Sequence, residues 1–280
     1  MAISPPRYAL QEANRLGRRD RVWALFVTNL RLRIGSPLPV ALIVVGLIST
    51  VLPLLFTVAL NQAIGRGSTV ELSAFYEPYT NFLLVLFILL LAALVGGGIV
   101  ADDLGTKSIS LYLSRPITLL DYLSAKGAVV VAALSFIAIL PGFLGVVVAY
   151  VLGYVSAGVA LEALGAYLGL GLLLTMTFAA LALFLSSLTD RRAWASAGIL
   201  AIFLIDDVVA DALAGIYQNV SWLYASVWED QLAVARDLFG VANTGPHPDP
   251  LTALLVLVIV IIALSAVTYF RLERMELVTE

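Results

Sequence analysis

Six long apolar runs limit what this chain can fold into: residues 39–60, 82–101, 127–154, 163–188, 193–213 and 251–270 each carry few or no charges. A helix rising about 1.5 Å per residue needs roughly 20 apolar residues to cross a hydrocarbon layer about 30 Å thick, and each run meets that length. The runs are continuous rather than alternating, so they predict spanning helices and not the strands of a barrel. Of 280 residues, 61% are hydrophobic and 12% charged, where a soluble domain carries roughly 25% charged residues. The expected fold is all-α. A tail and interfacial helix over 1–38 precede one polytopic domain of six transmembrane helices over 39–280.

The charges predict an orientation, because basic residues flanking spans stay on the cytoplasmic side. With the N-terminus inside, fourteen of the sixteen Lys and Arg residues fall there: Arg7, Arg15, Arg18, Arg19, Arg21, Arg31, Arg33, Lys107, Arg115, Lys126, Arg191, Arg192, Arg271 and Arg274. Arg66 and Arg236 fall outside, among Glu71, Glu77, Glu162, Glu229, Asp230, Asp237 and Asp249. This predicts a multi-pass protein of the cell membrane with both termini cytoplasmic. The first apolar run is too long for a signal-peptide core, and Arg18-Arg19 lies too far from it for a twin-arginine signal.

The chain has no cysteine and one histidine, His247, so thiol chemistry, thiolate metal sites and a Ser-His-Asp triad have little to be built from. No G-x-x-x-x-G-K-[ST] loop is present, since Gly105-Thr106-Lys107-Ser108 lacks the glycine-rich turn before it. The chain is expected to bind no cofactor and to act without an ATPase site of its own.

Before the first span, Val22, Trp23, Leu25, Phe26 and Leu30 recur at helical spacing among arginines. This predicts a helix in the membrane interface, with Trp23 and Phe26 in the acyl boundary and Arg31 and Arg33 within reach of lipid phosphates. Ser36-Pro37 and Pro39 should break it before the first crossing. The connector over 102–126 is longer than a hairpin needs: an apolar stretch, Arg115-Pro116, then Thr118 as the cap of a second short helix. That composition predicts a cytoplasmic elbow.

An acidic residue closing the second span, Gly105-Thr106, Ser114-Arg115-Pro116, and Lys126 opening the third together resemble the type-two permeases of ATP-binding-cassette transporters. Six spans, cytoplasmic termini, an interfacial N-terminal helix and a long fifth-to-sixth connection are similar to that family as well. The sharp likeness covers about 25 residues, and where family members carry Glu this chain has Asp102 and Asp103. The resemblance implies that Asp102, Asp103, Gly105, Thr106, Arg115, Pro116 and Lys126 couple to a separate cytoplasmic ATPase subunit, which binds ATP and Mg. It further implies pairing with a second permease, the same chain or a homologue, around an export pathway.

Asp206, Asp207 and Asp211 stand near the outer end of the fifth run, with Asp206 about 20 Å along the helix from Ala193. A carboxylate in the membrane costs roughly 2.5–3.5 kcal/mol at the centre and less near the surface, so these residues are candidates for lining the pathway. The alternative is a metal-dependent membrane enzyme using the three aspartates, or a scaffold without transport. Over 214–250, Tyr217, Trp222, Tyr224, Trp228 and Phe239 among acidic residues predict helices at the outer interface, which could form a lid. Pro53, Pro141 and Gly96-Gly97-Gly98 are candidate kinks, and Gly165 and Gly169 a packing pair.

Overall fold

The computed structural model describes residues 17–64, 70–76, 82–108, 117–242, 245 and 247–279. Within them every regular element is helical: α1 (Arg18–Ile34), α2 (Pro37–Ile64), α3 (Phe82–Gly96), α4 (Ala101–Gly105), α5 (Leu119–Ala138), α6 (Leu140–Val151), α7 (Ala157–Leu188), α8 (Arg192–Tyr217), α9 (Val227–Leu238) and α10 (Pro250–Thr279). Two 3-10 turns lie at Leu72–Phe75 and Val220–Ala225. Among the described residues five segments are long and apolar enough to cross a membrane, as a multi-pass membrane protein requires: Pro37–Ile64, Leu83–Gly105, Leu119–Val151, Ala157–Leu188 and Pro250–Met275. Helix α8 is 26 residues long but carries Asp206, Asp207 and Asp211 in its second half.

The interruptions have local causes. Helix α1 stops where the Gly35 N–H caps the Arg31 carbonyl at 2.8 Å, and α2 opens on Pro37, whose missing N–H is not needed there. Thr118 caps α5 reciprocally with Asp121: the Asp121 N–H donates to Thr118 Oγ1, and the Thr118 N–H to Asp121 Oδ2, each at 3.2 Å. That cap falls where the sequence predicts one, but the helix runs unbroken to Ala138. The second short helix expected in the elbow is therefore the opening of the third crossing. Pro141, without an N–H and crowding the preceding turn, separates α5 from α6, whereas Pro53 is absorbed within α2.

Helix α7 is the hub, packing on α5, α10, α8, α6 and α3. Its buried face is rich in alanine (Ala163, Ala166, Ala179, Ala182), which lets neighbouring backbones approach closely. At Gly142 of α6 a Cβ would run into the Tyr167 ring, so glycine is required for that approach. Tyr167 in turn donates its hydroxyl to the Phe75 carbonyl and meets Phe239 edge-on at 5.2 Å, tying the Leu72–Phe75 turn to the residue after α9. Gly165 and Gly169 face open space, and a Cβ at either would meet nothing within 4 Å among the described residues, so the expected packing pair has no partner helix there. Successive long helices run antiparallel. One end of the bundle gathers α1, α4, the start of α5 and the α7–α8 turn; the other gathers Leu72–Phe75, Val220–Ala225 and α9.

Candidate functional site

At the α1 end the second crossing is interrupted between α3 and α4, over residues 97–100, which frees backbone groups in a buried place. Side chains from three other helices take them up. Ser186 Oγ of α7 accepts the N–H groups of Val100 (2.9 Å) and Ala101 (2.8 Å) and donates to the Gly97 carbonyl (3.0 Å). Ser196 Oγ of α8 donates to the Ala93 carbonyl at 2.7 Å, and Arg192 donates to the Leu94 carbonyl. Arg33 of α1 donates to the Gly98 carbonyl at 2.6 Å. A Cβ at Gly97 would overlap Ser196, and one at Gly98 would meet the Arg33 and Asp102 side chains. The glycines of this break thus make room for its hydrogen-bond partners.

Two ion pairs grow from the break. Asp102 faces α1 and pairs with Arg33 at 2.7 Å. Asp103, about 100° further round the helix, faces α5 and pairs with Lys126 at 2.8 Å. Lys126 is 1% exposed, donates to Asn29 Oδ1 of α1 at 2.8 Å, and lies 5.4 Å from the centre of the Tyr122 ring; the Tyr122 hydroxyl donates to Asp103 Oδ2 at 2.6 Å. Asn29 is held by donating to the Leu25 carbonyl. At the start of α1, Arg18 forks onto both Asp121 oxygens at 2.8 and 3.0 Å. The hydrogen bond to Asp121 raises the affinity of the exposed Arg18 guanidinium for its proton. Helix α1 is consequently fastened to the second and third crossings at three points.

The remaining predicted residues divide. Gly105 closes α4, and a Cβ there would strike the Asp190 carbonyl, so the connectors on either side of α3–α4 and α7–α8 touch. Thr106 donates to the Asp102 carbonyl at 2.8 Å and stays exposed. Arg115 and Pro116 lie outside the described residues. Trp23 is 65% exposed with its ring 5.2 Å from Phe26. Arg31 is exposed. Arg33 is not free for lipid as the sequence suggested; Asp102 and the Gly98 carbonyl hold it inside.

At the opposite end the aspartates of α8 meet the N-terminus of α9. Asp206 Oδ2 accepts the Val227 N–H at 3.2 Å, and Asp207 Oδ1 accepts the Ser226 hydroxyl at 2.8 Å, while Ser226 caps α9 through the Glu229 N–H at 3.0 Å. Carboxylates are favoured there by the helix dipole. Asp211 is exposed and does not join them, and no group of three His, Asp or Glu side chains among the described residues could hold a metal ion. Within α9, Asp230 is 1% exposed and its Oδ1 has no hydrogen-bond partner among the described residues; burial, and then the nearby Glu229, push its carboxyl up to about 8. Burial likewise raises Glu229, which sits 3.9 Å from Arg236.

Sequence reasoning missed Asn29, Ser186, Ser196 and Arg192 as members of the α1-end network. Ser186 and Ser196 carried a signal, each a hydroxyl in a largely apolar run. No family model matches this chain, and no curated protein does.

Proposed function

We propose that this chain is the permease half of an ATP-driven exporter of the type-two ATP-binding-cassette kind. In this reading α8 is the sixth crossing, the α1 end faces the cytoplasm, and 102–126 is the element that docks on a nucleotide-hydrolysing subunit. The distribution of basic residues supports that orientation: of the described Lys and Arg residues only Arg236 belongs to the α9 end.

The observation that carries the proposal is the α1–α4–α5 junction. A coupling connector must pass a push on to the spans instead of folding under it. Here the connector's first helix is tied to α1 through Asp102–Arg33 and to α5 through Asp103–Lys126, with Asn29 joining the two. ATP and Mg bound by the partner subunits would close that pair of ATPases. The displacement of the connector then moves α1, α3 and α5 as one body, and two permeases rock against each other to open the pathway outward. The metal-enzyme reading gains nothing from the aspartates, since Asp211 stands apart from Asp206 and Asp207 and no group of three ligating side chains comes together among the described residues.

The absence of cysteine makes a direct test available. Ser108→Cys should react with an impermeant maleimide in inside-out vesicles and not in intact cells. The protein extracted from its own membranes should carry an ATPase subunit whose hydrolysis rate falls when Arg115 is changed to Glu. Labelling from outside the cell, or purification without any nucleotide-hydrolysing subunit, overturns the proposal.

A further inference from the structure

A cavity of about 260 Å³ lies between α7, α8 and α10 and is closed toward α9 by Val227; its walls include Thr177, Phe178, Phe184, Phe203 and Val260. The one ionisable group in the wall is Asp206. Its oxygens accept two backbone N–H groups, from Val227 at 3.2 Å and Asp207 at 2.8 Å, and a carboxylate offers about four lone-pair positions, so half of its capacity is unused. Among the described residues no cation pairs with it: Arg236 is placed against Glu229. The α9 N-terminus offsets only about half an elementary charge, and Asp207 adds a second negative group alongside. The cavity therefore combines apolar and aromatic walls with one carboxyl group that no cation pairs with among the described residues.

We propose that this cavity is a binding site for a small organic monocation, an ammonium group carried on an apolar, aromatic-sized body. The ammonium would sit against the free edge of the Asp206 carboxylate, where a cation partly stripped of water also gains from phenylalanine rings. The volume is just under the roughly 300–1,000 Å³ of pockets that take drug-sized ligands, which points to a single ring with a short substituent. A hydrated metal ion gains nothing from the phenylalanines, and an anion meets Asp206 and Asp207. That this cation is cargo on its way out rests on the permease reading; that it binds does not.

The test uses the whole chain in lipid nanodiscs without any ATPase subunit, so its failure is separate from failure of the coupling proposal. Tritiated benzyltrimethylammonium is the probe, measured by equilibrium dialysis against empty discs, with benzyl alcohol as the neutral comparison. Wild type should bind the cation saturably, and at least about tenfold more tightly than the alcohol. Asp206→Asn should weaken the cation at least about tenfold and leave the alcohol unchanged, while Asp206→Glu stays within about threefold. Val260→Phe, which fills the cavity and keeps the charge, should weaken both probes. The site is refuted by non-saturable binding to wild type, by equal affinity for the two probes, or by a folded Val260→Phe protein that binds as wild type does. Should Asp206→Asn melt before assay, the comparison of the probes on wild type and Val260→Phe decides the matter.

Discussion

The most demanding prediction concerns Lys126 and Asp103, because the energetics of a buried pair are lopsided. At 2.8 Å and an effective dielectric near 20 their gross attraction is about 6 kcal/mol, while withdrawing each ion from water costs several kcal/mol. The intact pair contributes little net stability, yet half of it is a liability. Lys126→Met leaves Asp103 with Tyr122 and no ammonium; Asp103→Asn leaves a 1% exposed ammonium among α1, α4 and α5. Each single change should cost about 3–5 kcal/mol. The double variant Asp103→Asn/Lys126→Met removes both charges, keeps an acceptor for the Tyr122 hydroxyl, and fills the lysine stem with an unbranched side chain. It should cost no more than about 1–2 kcal/mol, a coupling of several kcal/mol between the sites. The assay is reversible unfolding in mixed micelles followed by tryptophan fluorescence. Melting in nanodiscs should drop by roughly 10 °C in each single variant and recover in the double. Additive costs, or single variants within about 1 kcal/mol of wild type, would refute the claim that α1 and α5 are joined through a buried charge pair. Under the permease proposal the double variant should also fold normally yet stimulate its ATPase partner less, since the junction would then be held by weaker neutral contacts.

Two further outcomes follow from the same geometry. Ser186→Ala strands two buried N–H donors and one carbonyl at the break between α3 and α4, and should cost about 2–4 kcal/mol by the same unfolding assay; a loss under about 0.5 kcal/mol would show that the break is satisfied otherwise. Asp230 ionises near 3.8 in an unfolded chain and near 8 in the fold, so the folded state holds the extra proton between those values. Its contribution is fully favourable below the lower value and is lost at roughly 1.4 kcal/mol per pH unit as pH rises toward 8. Stability measured from pH 8 down to pH 5 should therefore increase in wild type and stay nearly flat for this component in Asp230→Asn; identical profiles would place Asp230 in contact with water.

How far the sequence reveals this depends on how local each cause is. The long apolar helices, helix α1 and the Thr118 cap are set by neighbours within a few residues, and periodicity or capping chemistry exposes them. The choice between Asp102 and Asp103 is not local. Adjacent residues on a helix point about 100° apart, so each aspartate serves a different partner, one on α1 and one on α5, and the sequence question of which one matters has no single answer. Ser186 lies 85 residues from the Ala101 N–H it accepts, and nothing near it in the chain announces that bond. The same holds for Asp206, whose depth in its helix is readable but whose partner, Val227, depends on how the chain returns after α8.

The two ends of the bundle treat charge in opposite ways, and the difference bears on how work could cross the molecule. At the α1 end Arg18, Arg33 and Lys126 each face a carboxylate on another element, so the charges cancel across helix boundaries and resist sliding. At the α9 end Asp206, Asp207, Glu229 and Asp230 outnumber Arg236, and the helix they hold is fastened through neutral donors, the Val227 N–H and the Ser226 hydroxyl. Hydrogen bonds to a carboxylate contribute about 1.5–3 kcal/mol each, below the roughly 3–5 kcal/mol of parting a buried ion pair. A force entering at the α1 end would thus meet a charge-paired junction and, where α9 meets α8, attachments made by hydrogen bonds to neutral donors. The contact of α9 with α8 is expected to open before that of α1 with α5, and Ser226→Ala should speed hydrogen exchange of α9 amides while leaving those of α5 unchanged.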